Sequence, residues 1–329
     1  MTKKRILSGM RPTGRLHIGH YVGALENWVA LQGEFENFHL IADYHSLTTN
    51  LDTTALYENT IDLVMDWLAA GIRPLESPIF RQSQIKEHAE LHLIFSMLIT
   101  KERLERNPTL KEQVRDLNME TVIYGHLGYP VLQAADILLY KGQVVPVGED
   151  QAPHVEITRE IARKFNSTYG PVFPEPETRL TKFARLPGLD GKAKMSKSLG
   201  NTIVLADDPK TIADKARTMV TDPQKIRKGD PGRPEICNVF TYHNRFNVVE
   251  ASQIDRDCRS GALGCVDCKK NLANKISDFF ASHREKRAYY ESHVDEVKDI
   301  LRDGEKRARA TAQQTMGEVR RAMKLGVLE

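Results

Sequence analysis

Cysteine is scarce in this 329-residue sequence: there are four, all between positions 237 and 268. A disulfide scaffold spreads its thiols along the chain, so this clustering argues against one and suits a metal site in a reducing compartment. Long apolar runs are missing too. The most hydrophobic window, residues 131–140, is broken by Gln133 and Asp136 and is far shorter than the ~20 residues a bilayer needs, so no membrane partner is expected. The first ten residues offer only Ile6 and Leu7 as an apolar pair, so no signal-peptide core is read and a cytoplasmic location is expected. Neither sign of charge dominates, with 47 Lys and Arg against 44 Asp and Glu. The net charge of +3 excludes an indiscriminate polycation and leaves nucleic acid as a ligand only through a local patch. The positive excess lies beyond residue 205.

What the chain does have is 40% hydrophobic and 28% charged residues over a length suited to about two domains. Residues 4–10 read as a short strand, followed by the turn-rich Arg11-Pro-Thr-Gly-Arg15 and by His17-Ile-Gly-His20 opening a helical pattern. Residues 38–42 give a second strand ending at Asp43, and residues 78–82 a third. Between them Asp52 is the expected N-cap of a helix whose apolar positions Leu56, Leu63, Val64, Trp67 and Leu68 keep helical spacing up to Gly71 and Pro74. Helical patterns fill residues 87–140. Residues 144–147 then form a short buried strand, and the loop Gly148-Glu-Asp-Gln151 leads into a helix over 152–165.

This alternation implies an α/β fold with a parallel sheet, and in such sheets ligands bind beyond the carboxyl ends of the strands. Ser8 to Arg11, Asp43 to His45 and Gly148 to Gln151 are therefore expected to face one crevice. Residues 166–198, rich in Pro, Gly and Lys, read as a mobile loop with a domain boundary just after it. From Thr211 onward the pattern is helical, ending in two basic amphipathic helices over 269–290 and 304–324.

Two short segments carry chemistry. At a strand-to-helix turn, His17-Ile-Gly-His20 joins unpaired helix-start amides, two imidazole donors and a glycine that lets a flat group approach the backbone, which suits a triphosphate. Taken alone it is equally a pair of solvated histidines. Lys194-Met-Ser-Lys-Ser198 puts two ammonium groups and two hydroxyls in five residues after a Gly-containing stretch, which suits a loop closing on a developing negative charge. Taken alone it is an ordinary lysine-rich loop, but both segments in this order are far from chance.

Together these segments resemble the signature of class I aminoacyl-tRNA synthetases. Ser8-Gly-Met-Arg-Pro-Thr-Gly14, Asp43-Tyr-His45, Tyr129-Pro-Val-Leu-Gln-Ala-Ala-Asp136 and Val145-Pro-Val-Gly-Glu-Asp-Gln151 extend the resemblance to the bacterial tryptophanyl branch over nearly the whole chain. The resemblance implies a Rossmann-like catalytic domain over 1–205 with a helical insertion at roughly 52–128. It also implies an all-helical anticodon-binding domain over 206–329. The implied activity is ATP-dependent activation of L-tryptophan to an enzyme-bound adenylate and its transfer to tRNA(Trp), with magnesium, in a homodimer joined through the insertion.

By that resemblance His17, His20, Lys194, Ser196 and Lys197 are the catalytic group. Arg11, Pro12, Thr13, Gly19, Gly148, Glu149, Asp150, Leu186, Met195 and Ser198 complete the ATP contacts. Tryptophan falls to Asp136, with Tyr129, Gln133, Gln151 and His45 around it. Indole offers one N–H and no conventional acceptor, so a pocket that selects it wants a buried carboxylate or carbonyl. A carboxylate accepts equally from a phenol, and Gln133 suits a tyrosine pocket as well, so tyrosine is the alternative substrate. A nucleotidyltransferase that does not act on tRNA, and a non-catalytic RNA-binding or redox-sensing paralogue, are the other readings.

Cys237, Cys258, Cys265 and Cys268 follow the spacing C-x20-C-x6-C-x2-C, which four-thiolate zinc, a cubane iron–sulfur cluster or free buried thiols could each explain. The arrangement is similar to the cysteine insertion of certain bacterial synthetases of this branch that hold a [4Fe-4S] cluster. The cations Arg284, Lys286, Arg287, Lys306, Arg307, Arg309, Arg320, Arg321 and Lys324 read either as solvated helix faces or, given the resemblance, as a surface for RNA.

Overall fold

The computed structural model describes residues 3–116, 120–148, 151–180, 186–192 and 195–326. By packing, the chain divides into two compact units. The first comprises Met1–Gly14, Asn27–Lys182 and His293–Glu329, the second Arg15–Glu26 and Phe183–Ser292.

The first unit is built on five parallel strands: β1 (Arg5–Met10), β2 (Glu36–Ile41), β3 (Ile79–Arg81), β4 (Val144–Val147) and β5 (Glu177–Leu180), ordered β3-β2-β1-β4-β5. Five of the six residues of β2 are buried, as a strand covered by helices on both faces requires. Phe38, Phe80 and Tyr140 fill the core beside Phe95 and Phe165. The chain runs from β1 outward to β2 and β3 and then returns to β4 on the other side of β1. That reversal opens a crevice at the carboxyl ends of β1 and β4.

Four strands fall where the sequence places them. The fifth corrects the reading of 166–198 as wholly loop: β5 pairs with β4 from Val144↔Glu177 to Val147↔Leu180, yet its side chains are exposed or half-buried. Main-chain pairing at a sheet edge leaves no hydrophobic alternation to read. Asp52 is corrected as well. The helix Leu56–Ala70 starts after Ala55, and Asp52 accepts instead from the backbone N–H of Thr54 at 2.9 Å.

The last helix, Val294–Ala322, sends Ala308, Ala312, Met316 and Val319 into the core of the first unit. Its Gly304 sits so close to the edge strand β3 that a Cβ there would lie 2.0 Å from the carbonyl oxygen of Ile79. The helix thus covers an edge that would otherwise be free to pair. Its cations are engaged there: Arg307 donates to the carbonyls of Pro74 and Leu75, Arg309 to that of Gln84, and Arg320 pairs with Glu90. A single cut after residue 205 is therefore not how the chain packs, because amphipathic spacing shows that a helix has an apolar face without showing which core receives it.

In the second unit the helices Pro209–Thr218, Asn238–Phe246, Val248–Ser260, Cys265–Phe279 and Ala281–Ser292 bury Tyr242, Leu272 and Ile276. The N-terminal segment joins this core: Tyr21 makes edge contacts with Phe279 and Phe280, and Glu26 pairs with Arg245 at 2.5 Å. Arg287 is 1% exposed and paired with Glu291, so it is no surface cation. Among the described residues no helix is long and apolar enough to cross a membrane.

Candidate active site and cysteine pocket

In the first unit, β1 delivers the exposed Arg11, which donates to Thr49 Oγ1 at 3.1 Å, and then the buried Pro12 and the exposed Thr13. β4 delivers Gly148, whose carbonyl accepts from Gln151 N–H at 3.0 Å where the helix Ala152–Tyr169 begins. Glu149 and Asp150 lie outside the described residues.

The helix Tyr129–Leu139 and its C-cap Tyr140 place Tyr129, Gln133, Asp136 and Tyr140 on one face, at spacings of four, three and four. Asp136 is 2% exposed and meets three side chains. Its Oδ1 accepts from Gln82 Nε2 and lies against His88 Nδ1, each at 2.7 Å, while Oδ2 lies 2.8 Å from His45 Nε2. Burial pushes its pKa up, but the hydrogen bonds and charges of His45 and His88 outweigh that and hold it at about 2. Tyr129 packs against the His45 ring at 4.2 Å. His45 Nδ1 and Gln133 Oε1 are buried without a partner among the described residues.

Sequence reasoning reached Asp136, His45 and Tyr129 but missed Gln82, His88 and Tyr140. One signal was available for His88: with Leu91 and Phe95 it keeps the three-and-four spacing of a buried helix face.

In the second unit the two motif segments meet. His17 caps the helical stretch that starts at Ile18, its backbone N–H donates to His20 Nδ1 at 3.3 Å, and the two rings stack at 3.7 Å. A Cβ on Gly19 would come within 2.9 Å of Met195 Sδ, so the lysine loop packs closely against the bare glycine backbone. Main-chain bonds from Ile18 N–H to Ile203 and from Leu205 N–H to Leu16, at 3.0 and 2.9 Å, hold the segments in register. Ser196 is fixed through its N–H to Asn201 Oδ1 at 2.8 Å, and Leu186 is buried. Lys194 and the side chain of Ser198 lie outside the described residues.

Burial, followed by the charge of Lys197, lowers the pKa of His17 to about 4. Burial, then His17 and Lys197, lowers that of His20 to about 3. At neutral pH both are uncharged imidazoles, and His17 Nδ1 has no partner among the described residues.

The same unit gathers all four cysteines around one small pocket, with Thr221, Asp222, Lys225, Val239 and Leu263 completing its wall. None is in a disulfide. Cys237 caps the helix Asn238–Phe246, while Cys265 and Cys268 sit in the first turn of Cys265–Phe279. The Cys268 thiol is pushed up to about 12, by burial first and then by the other three sulfurs, and His243 Nε2 lies 3.3 Å from its Sγ. Among the described residues, no group of three or more His, Cys, Asp or Glu side chains is gathered as a metal ion requires.

The family model for class I tRNA synthetases of the tryptophan and tyrosine type (W and Y) matches residues 2–281. The chain belongs to that family. Among curated relatives, the tryptophan–tRNA ligase of Thermotoga maritima is 52% identical over 98% of this chain and 99% of its own length. That of Aquifex aeolicus is 43% identical over 98% and 100%. Among solved structures, tryptophanyl-tRNA synthetase from Campylobacter jejuni, complexed with ADP and tryptophan, superposes with a TM-score of 0.87 at 35% identity, covering 97% of this chain and 99% of that one. This synthetase therefore has the Rossmann-like parallel-sheet fold of class I with helical regions, as its sequence leads one to expect.

Proposed function

We infer that this synthetase is a tryptophan–tRNA ligase, joining L-tryptophan to ATP as tryptophanyl-adenylate with release of pyrophosphate and passing the aminoacyl group to tRNA(Trp). The observation that carries the reading is the 52% identity, over 98% of this chain, to a tryptophan–tRNA ligase, and Asp136, a buried carboxylate held ionised on a helix face that also bears Tyr129 and Gln133, supplies an acceptor for the indole N–H. The names of the relatives support it.

The substrate carboxylate is already ionised at neutral pH, so activation needs no general base. It needs alignment with the α-phosphate and relief of the charge that moves onto pyrophosphate. We assign the second task to His17, His20, Lys194, Ser196 and Lys197. Arg11, Pro12, Thr13, Gly19, Gly148, Glu149, Asp150, Leu186, Met195 and Ser198 are assigned to the nucleotide. Magnesium, carried with ATP, supplies further charge neutralisation. Tyr129, Gln133, Gln151 and His45 are assigned to tryptophan around Asp136. The tRNA is assigned to the helices of the second unit, and the working assembly to a homodimer in the cytoplasm.

We assign the four cysteines to a [4Fe-4S] cluster in preference to zinc. Zinc wants four sulfurs at ~2.3 Å from a single point. Structural zinc usually takes two closely paired knuckles, whereas here one C-x2-C accompanies two single cysteines, all four lining one pocket. When bound, such a group supplies a covalent staple between three helices, and no catalytic step is assigned to it.

Tryptophan-dependent exchange of labelled pyrophosphate into ATP, with tyrosine as the parallel substrate, tests the activity: exchange with tryptophan is expected, and exchange with tyrosine alone rejects the assignment. Iron and zinc analysis with a visible spectrum of anaerobically purified protein tests the metal.

A further inference from the structure

The roles assigned above leave out His88 and Tyr140, although both side chains are fully buried and both belong to the group around Asp136. Burial, then the charges of Asp136 and Glu87, raises the Tyr140 pKa well above its usual value, so the phenol keeps its proton. Its oxygen lies 2.9 Å from His88 Nε2. In a ring with one proton, that proton sits on Nδ1 facing the ionised Asp136, and the Nε2 lone pair accepts from the phenol. Nδ1 then donates to Asp136 Oδ1 at 2.7 Å, an ionised oxygen that only accepts. The relay has one direction: Tyr140 to His88 to Asp136.

Gln82 adds a second donor on Oδ1, and His45 one on Oδ2. An ionised carboxylate offers roughly four acceptor positions. Three are filled by protein, and the one left is on Oδ2. His45 Nδ1 is buried and has no partner among the described residues. The open position on Oδ2 offers a ligand an acceptor, and an indole N–H, which only donates, is satisfied there.

We propose that His88 and Tyr140 are specificity-determining positioning residues. By filling Oδ1 with directed donors they leave Asp136 with a single outward lone pair, so that a ring N–H is selected over an isostere that lacks one. This deepens the tryptophan assignment and rests on it.

The test compares tryptophan with its benzothiophene analogue, which has the same shape and no N–H, in pyrophosphate exchange with the full-length enzyme. Tyr140→Phe removes the hydroxyl that anchors His88 Nε2 and so loosens the ring that presents its Nδ1 proton to Oδ1. It is expected to raise KM for tryptophan about tenfold or more, the value of one hydrogen bond to a charged group. The fall in kcat should be much smaller, and the tryptophan-to-analogue preference should fall by the same factor as the KM change. His88→Asn keeps an N–H near the Nδ1 position without needing the phenol, so in that background Tyr140→Phe should cost little further selectivity.

Equal losses for tryptophan and analogue would make the relay mere packing and overturn the proposal. So would a Tyr140→Phe effect undiminished in the His88→Asn background. If Tyr140→Phe does not fold, the same ratio is read in His88→Asn against His88→Leu, and equal ratios in these two overturn it. A wild-type enzyme that shows no tryptophan-dependent exchange rejects the tryptophan assignment itself, a result distinct from any of these.

Discussion

Asp136 and the His17–His20 turn, one in each unit, are the groups assigned above to tryptophan and to the triphosphate, and they meet opposite electrostatic problems. Asp136 is charged and has three protein donors in place before any ligand arrives. His17 and His20 are held uncharged by burial and by Lys197, and the His17 Nδ1 has no partner among the described residues. The difference follows from the ligands proposed for them. A neutral indole brings no charge, so the carboxylate that reads it must be neutralised by the protein, since an unpaired buried carboxylate is costly. A triphosphate brings its own negative charge, so the imidazoles that meet it need carry none.

The largest expected effect breaks the phosphate side. Lys197→Ala removes a cation assigned to charge that grows in the transition state, and should lower the exchange kcat about 10²–10³-fold with tryptophan KM little changed. The same variant should move the pKa of His17 and of His20 upward in the free enzyme, since Lys197 is a cause of both depressions. Imidazole titration by NMR reads this directly. A loss that fell on tryptophan KM instead would erase the division between the two regions.

Next in size is Asp136→Asn. It keeps the shape and removes the charge that three donors address, so a loss of about 2–3 kcal/mol of stability is expected, together with a rise of about 10²-fold in tryptophan KM. Thermal unfolding and exchange kinetics check the two parts.

The two regions also separate along the pH axis. Unfolded imidazoles take a proton near 6.5, whereas His17 and His20 resist until about 4 and about 3, so stability present above pH 6.5 is lost as pH falls towards those values. Buried His39, held to about 3, acts in the same window. An unfolded aspartate protonates near 3.8 but Asp136 only at about 2, so its contribution is lost between those values. Denaturant titrations at a series of pH values should show His17→Asn with His20→Asn flattening the upper window only, and Asp136→Asn the lower one only.

How much of this was legible depended on whether a residue's meaning lay along the chain or across it. The strands β1 to β4 are short apolar runs bounded by turn residues, and the histidine and lysine segments are strings, so each shows in one dimension. Asp136 is legible because an acid in an apolar helix demands a reason. Gln82 and His88 come from a different stretch of chain, and nothing local announces that their donors point at Asp136. Tyr140 looks like any core aromatic until its hydroxyl is seen against a histidine. The strand β5 is held by main-chain bonds, which have no side-chain signature. Cysteine spacing shows that four thiols exist, but only folding puts them round one pocket.

The smallest expected effect sharpens the contrast between units at their cations. Arg320 pairs with Glu90, with side chains 45% and 39% exposed, so Arg320→Ala should cost only about 0.2–1 kcal/mol, less at high salt. Because that pairing ties the last helix to the first unit, the salt dependence of tRNA binding should not change. Lys286, exposed on a helix of the second unit, is the counterpart: Lys286→Ala should weaken tRNA binding and reduce the log–log salt slope by about 1 if it contacts a phosphate. Filter binding at several salt concentrations distinguishes them. A reduced slope at Arg320 with none at Lys286 would mean that RNA is read by the long final helix after all, and would move the nucleic-acid surface from the second unit to the first.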